Sequence, residues 1–312
     1  MYLKQHLALL GLALALSLPV TVHAFALNAG DILISNHGGN NVQRLDPTTG
    51  IVTTLTSVAG TPIGLAFDTN FNLYINTNNG IQKLDRATDT LSTFFTGVGQ
   101  REGLTFDPTT GHFFSVSFGA NRIEEVDLSG TLVRTITVAG ASQVLGISAR
   151  GGELVVSDYG SGKIFLGTTT GSSFAQIGTL TPGNTYAVDI DGFGAVFAND
   201  FSLGKTEKFT PTGGGTYTAS DFITGLNTPA NGLSIGDDGS LTISEFGGNA
   251  ISVWNNDGTL RQRYSGVASP DELVVFAPQR QNPNPNPVPE PSALLLVGIG
   301  FFSLVLARRR RG

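Results

Sequence analysis

The groups able to do chemistry in this chain are oxygens and aromatic rings. None of its 312 residues is a cysteine, so thiolate nucleophiles, thiolate metal sites and disulfides are all excluded. Polar and aromatic residues recur after short apolar runs, as Asn36-His37, Asn76, Asn121-Arg122, Asp158-Tyr159, Asn199-Asp200-Phe201 and Glu245-Phe246. A second set precedes apolar runs: Arg101-Glu102, Gln143, Tyr186, Asn231 and Asp271-Glu272. Acids and amides beside rings suit a polar ligand, with hydrogen bonds for orientation and ring faces for stacking. The residues expected to bind such a ligand are His37, Asn76, Arg101, Glu102, Arg122, Asp158, Tyr159, Asp200, Asn231 and Glu245. The same residue types also dominate tight turns, where they bond their own backbone and accept positive φ, so many of them are expected to be turn formers.

No catalytic residue is expected. Gly232-Leu233-Ser234-Ile235-Gly236 has the spacing of a hydrolase nucleophile elbow, but it lies in a strand pattern followed by Asp237-Asp238-Gly239, and the elbow needs a strand-turn-helix. Asp189-Ile190-Asp191-Gly192 is too short for a calcium loop. Asp46-Pro47-Thr48-Thr49-Gly50 and Asp107-Pro108-Thr109-Thr110-Gly111 read as hairpin turns. Between residues 25 and 287 lie 23 acidic and 13 basic residues, a formal charge of −10. That field opposes phosphate backbones and excludes nucleic acid as a partner.

The elements that position these groups repeat. Apolar segments ending in Asp or another turn former recur as Ile63–Asp68, Gly103–Asp107, Leu145–Ser148, Tyr186–Asp189 and Gly232–Gly236. Second strands start near Ile32, Leu73, Phe113, Leu154, Val196 and Leu241, the last five each following one of these segments. Their spacing of roughly 40 residues is that of four-stranded propeller blades. A β-sandwich would show apolar/polar alternation and no such period. The chain enters at a second strand, Asp31-Ile32-Leu33-Ile34, and the missing inner strand reappears as Ser269–Phe276. The predicted fold is therefore all-β, a six-bladed propeller over residues 25–278 closed by a C-terminal strand, which leaves no open sheet edge. Phe118, Tyr159, Phe201 and Phe246 fall at one place in four consecutive repeats and are expected to pack between blades.

Both ends carry sorting signals. Lys4, the apolar run Leu7–Val20 and Val22-His23-Ala24 make residues 1–24 a signal peptide, too short in its apolar part for a span of roughly 20 residues. Residues 279–287, rich in Pro and Asn, form an extended linker. Residues 288–312 hold Pro289-Glu290-Pro291, the apolar run Ser292–Ala307, predicted to be a transmembrane helix, and Arg308, Arg309, Arg310 and Arg311, which stay cytoplasmic under the positive-inside rule.

This tail resembles the PEP-CTERM sorting signal in all three parts. The resemblance implies a Gram-negative host, processing by an exosortase-type enzyme, and association with exopolysaccharide or biofilm production at the cell envelope, cell surface or beyond. The body, with Pro62-Ile63-Gly64-Leu65-Ala66-Phe67-Asp68 followed by Leu73-Tyr74-Ile75-Asn76, resembles the six-bladed NHL, gluconolactonase and strictosidine-synthase-like group. The gluconolactonase resemblance implies a divalent metal such as Ca2+ at the channel mouth; Glu102, Asp158, Asp200 and Asn231 are candidate oxygen ligands by residue type and place, without a residue-by-residue match to that family's ligands. Three functions follow as expectations. The leading one is a non-catalytic, envelope-displayed propeller binding a polysaccharide or protein of the extracellular matrix; the others are a metal-dependent hydrolase or lactonase and a purely structural matrix protein.

Overall fold

The structure, a computed structural model, describes residues 25–277 apart from 98, 181 and 182. The signal peptide, the linker and the C-terminal apolar run with its arginines lie outside the described residues. Among the described residues no helix is long and apolar enough to cross a membrane.

Six four-stranded antiparallel sheets form a ring. Their inner strands are Pro270–Val275, Pro62–Phe67, Arg101–Asp107, Val144–Arg150, Thr185–Ile190 and Leu233–Ile235, in the first to sixth blades. The first blade joins the two ends of the chain. Pro270–Val275 pairs with Ile32–Asn36, placing Leu273 opposite Ile34 and Val275 opposite Ile32. This closure, and six second strands within a residue of their predicted starts, follow the sequence pattern.

Strands near the axis are apolar on both faces because each sheet is sandwiched between two others. Leu73–Thr77 and Val196–Asp200 are buried along their whole length, whereas the fourth strands, such as Val52–Ser57, are exposed or half-buried. The core is therefore a set of layers between blades. Leu33 and Val42 of the first blade pack with Leu65, Leu73 and Ile75 of the second, and Val116 and Ile123 of the third with Val144 and Leu154 of the fourth. Hairpins close on the side chemistry expected of them. Asp107 accepts the amides of Thr109 and Thr110 at 3.1 and 3.2 Å, and Gly111 takes the left-handed φ of 74° that ends the turn.

Toward the axis the inner strands approach until backbone meets backbone. Five are bulged near their start, as between Pro62 and Leu65 or Arg101 and Leu104, and before the sixth the amides of Asn231 and Gly232 part at the same place, to Ser244 and Asp271. The bulge carries Gly64, Gly103, Gly146, Ala187 and Gly232 in the second to sixth blades. A Cβ on Gly64 would lie 2.5 Å from the Glu102 carbonyl oxygen and 2.6 Å from the Leu104 nitrogen. Polar side chains then fasten one blade to the next. Asn76 donates to the Glu102 and Gly103 carbonyls at 2.9 Å, and Asn199 does the same to Asn231 and Gly232 at 3.1 and 3.2 Å.

Gly64→Ala is expected to destabilise the full chain by about 1–3 kcal/mol, because the new methyl meets rigid backbone. Gly119→Ala, whose nearest neighbour would be the Gln100 nitrogen at 3.8 Å, is expected to change stability by less than about 0.5 kcal/mol. Urea unfolding checks both, and equal midpoints for the two variants would show that the axial approach is not limiting.

Candidate functional site

Loops joining second and third strands, and those entering inner strands, share one face of the ring, here the upper face. Hairpins between first and second strands, and between third and fourth, share the lower face. The residue just before each inner-strand bulge lies near the axis under the upper face: Ile63, Glu102, Leu145, Tyr186, Asn231 and Asp271. All are buried except Tyr186, which is half-buried, so the upper end of the channel is filled by side chains.

Asp271 is the hub of this layer. One carboxylate oxygen lies 2.9 Å from His37 Nδ1; the other accepts from the Tyr186 hydroxyl at 2.9 Å and Asn231 Nδ2 at 2.7 Å. The Tyr186 bond reaches from the fifth blade to the first, across the ring. Glu102 accepts from Gln100 Nε2 at 2.6 Å. Burial, and then the charge of Asp271, raise the Glu102 pKa to about 7. The hydrogen bond to Asp271 raises His37, against the opposing effect of burial. Burial also holds the Tyr186 phenol well above its ordinary value, so it stays protonated as a donor. Beside the hub, Phe201 stacks on Tyr186 with centroids 5.5 Å apart, and Tyr159 meets Phe201 edge-on at 5.8 Å. These three half-buried rings form a wall that crosses from the fourth blade to the fifth. Phe246 of the sixth blade meets His37 of the first edge-on at 6.4 Å.

The structure thus gathers His37, Glu102 and Asn231 at the axis, with Tyr159 on the adjoining wall. The other expected ligand-binding residues have structural partners. Asn76 holds the third blade's inner strand. Arg101 is fully buried, donates to Ser115 at 2.7 Å and Glu124, and lies over the Phe95 ring at 4.9 Å. Arg122 donates twice to the same Glu124, at 3.1 and 2.6 Å. Glu245 accepts from the Asn227 amide at 2.8 Å, its side-chain amide at 2.6 Å, and Arg263 at 2.9 Å. Asp158 takes the Ser142 and Gln143 amides at 2.9 and 2.6 Å and the Ser161 hydroxyl at 2.5 Å. Burial raises its pKa, but these bonds outweigh it and leave the carboxyl below its ordinary value. Asp200 accepts the amides of Ser202 and Leu203, each at 2.9 Å.

The four residues expected to share a divalent cation are drawn to different partners, while Asp200 Oδ2 and Asn231 Oδ1 are buried without one among the described residues. Asp158 and Asp200 turn back onto their own loops, and among the described residues no three His, Asp or Glu side chains are gathered to hold a metal. Asp271 and Tyr186, absent from the expected ligand set, are the residues that organise the axis. Their signal is positional: aligned on the bulge, Pro270-Asp271-Glu272-Leu273 falls beside Arg101-Glu102-Gly103-Leu104.

Residues 287–311 match the PEP-CTERM protein-sorting motif. That motif indicates an exported protein sorted to the cell envelope and implies processing by an exosortase-type enzyme. No curated protein matches the chain. The body is a six-bladed propeller with structural neighbours of the NHL and virginiamycin B lyase type. The nidogen/laminin complex aligns with TM-score 0.69 and 17% identity, covering 78% of this chain and 97% of that one. Virginiamycin B lyase from Staphylococcus aureus aligns with TM-score 0.63 and 16% identity over 81% and 87% of the two chains. A streptogramin B lyase gives 0.60 and 19% over 78% and 83%. At these identities the likeness is one of fold.

The axial layer makes stability depend on pH. Folded Glu102 keeps its proton to about pH 7, whereas its ordinary value is 4.5, so folding takes up a proton between those limits and stability falls as pH rises through them. His37, raised above 6.5, acts in the same sense at higher pH. Glu102→Gln removes the first contribution. Its melting temperature, relative to the unsubstituted chain, is expected to climb between pH 4.5 and 7 and then level off. A constant difference across that range would refute the raised pKa.

Proposed function

We propose that this protein is a non-catalytic, envelope-displayed propeller that binds a neutral or amino-bearing polysaccharide of the extracellular matrix on its upper face. The observation that carries the reading is the Tyr159–Phe201–Tyr186 wall beside the Asp271 hub. Half-buried rings offer stacking faces to sugar, and the neighbouring carboxylates accept hydroxyl or ammonium protons while repelling uronates. The alternative of a metal-dependent hydrolase finds less support, because Asp158 and Asp200 are already engaged by backbone amides.

The chain path supports display. Inner strands run from the upper face to the lower, so after Pro270–Val275 the chain leaves on the lower face, where Phe276 packs with Phe25 and Leu27. A linker of residues 279–287 followed by a membrane-held helix would then turn the aromatic wall away from the membrane.

Full-length protein is expected to bind neutral or amino-sugar polysaccharides on a glycan array, and uronate-rich ones less. Phe201→Ala is expected to weaken binding about tenfold, since an aromatic contact is worth roughly 0.5–1.5 kcal/mol. Binding unchanged in that variant, or a preference for uronates, would overturn the assignment of the upper face.

A further inference from the structure

Beneath the filled upper end, the ring encloses a cavity of about 340 Å³. Its walls are the lower halves of the inner strands, with Leu65, Leu104, Ile147, Val188, Leu233 and Leu273 among the lining residues. It opens on the lower face between Pro108, Thr109, Arg150 and Gly151. None of the upper axial residues lines it, so it is a separate compartment from the face described above.

One residue in this cavity departs from the repeat. At the bulge the other five blades carry Gly64, Gly103, Gly146, Ala187 and Gly232; the first blade carries Glu272. All except Ala187 on that tier close the wall by having no side chain, and Ala187 adds a single methyl. Glu272 instead lines the cavity, and its carboxyl meets the backbone amide of Leu273. No ion pair and no side-chain hydrogen bond among the described residues holds it. The charged groups acting on it, Asp271, Glu102 and Asp189, are all acids. Burial first, and those acids next, raise its pKa well above the ordinary value. Asp189 is held in place by Ser148 at 2.5 Å and the Ile235 amide at 2.7 Å. Arg150 at the lower rim pairs with Asp237 at 3.2 Å.

A half-buried carboxyl among apolar walls gains from a counter-charge. Glu272 and Asp189, both in the lining, select a cation, the leucine tier selects an apolar body, and the volume lies within the range of small-molecule sites. We propose that this cavity binds a small amphipathic organic cation, its ammonium group on Glu272 and its apolar body along the leucines, entering from the lower face.

The test uses the full chain in detergent and titration calorimetry with 4-phenylbutylamine, 4-phenylbutanol and 4-phenylbutyrate. The amine is expected to bind at least tenfold more tightly than the alcohol, and the carboxylate is expected not to bind. Glu272→Gln should make amine and alcohol equal. Glu272→Ala, which restores the small side chain of Ala187, should also lose amine binding while keeping the fold by circular dichroism. Asp127→Asn, an acid on an exposed lower turn, should retain it. The proposal fails if the alcohol binds as well as the amine, if Glu272→Gln leaves amine binding unchanged, if Asp127→Asn removes it, or if no amine binds at millimolar concentration.

Discussion

The rest of the structure depends on how closely six inner strands approach around one axis. Neighbouring backbones come so near that a Cβ on Gly64, Gly103 or Gly146 would lie under 3.0 Å from the next blade's backbone. Such proximity brings donors on one blade within reach of carbonyls on the next, which is why Asn76, Ser157 and Asn199 can bridge blades. It also demands that the ring close, since an open blade would leave a sheet edge and a layer of apolar side chains against water. Pairing of Ile32–Asn36 with Pro270–Val275 meets that demand with one strand from each end of the body.

The same constraint divides the polar residues into two kinds. Where a blade must hold its upper loop shut, an acid at the end of the second strand accepts that loop's amides, as Asp158, Asp200 and Glu245 do. Asp158 and Glu245 accept at both carboxylate oxygens in this arrangement, whereas Asp200 accepts through Oδ1 and its Oδ2 is buried without a partner among the described residues. Residues one step before the bulge face a different environment. They point toward the axis, where six blades supply six side chains and no backbone donors, so they must partner one another. Asp271, Tyr186 and Asn231 do so, and His37 joins them from the upper loop of the first blade.

This division explains what could be read from the sequence. The blades were legible because their signals are local and repeated: apolar strand, turn, apolar strand, with Leu73, Phe113 and Leu154 marking successive units. Closure was legible because Ser269–Phe276 copies the inner-strand pattern. Side-chain direction was not. Asp158-Tyr159 and Asp200-Phe201 look like acids beside stacking rings, and the rings do form a wall. The acids turn the other way because Ser142, Gln143, Ser202 and Leu203 present free amides to them, a matter of loop geometry that residue type alone does not encode. Arg101 misleads for a related reason: Glu124, which neutralises it, lies two strands away in the same blade.

The two ends of the channel differ for a reason that follows from the bulge. Above it, long side chains at Glu102, Leu145 and Tyr186 fill the axis, and Tyr186 bonds to Asp271 of another blade; below it, glycine at the bulge removes the side chains that would fill the next tier. A ring built this way is plugged on one face and hollow on the other, whatever it binds. Glu272 is the single large residue on the tier that is otherwise kept small, and it sits in the strand that closes the ring. Its neighbour Asp271 organises the upper layer while Glu272 faces the cavity beneath. Two consecutive acids on the closing strand therefore serve opposite sides of the plug, and the strand that completes the fold also sets the charge of both compartments.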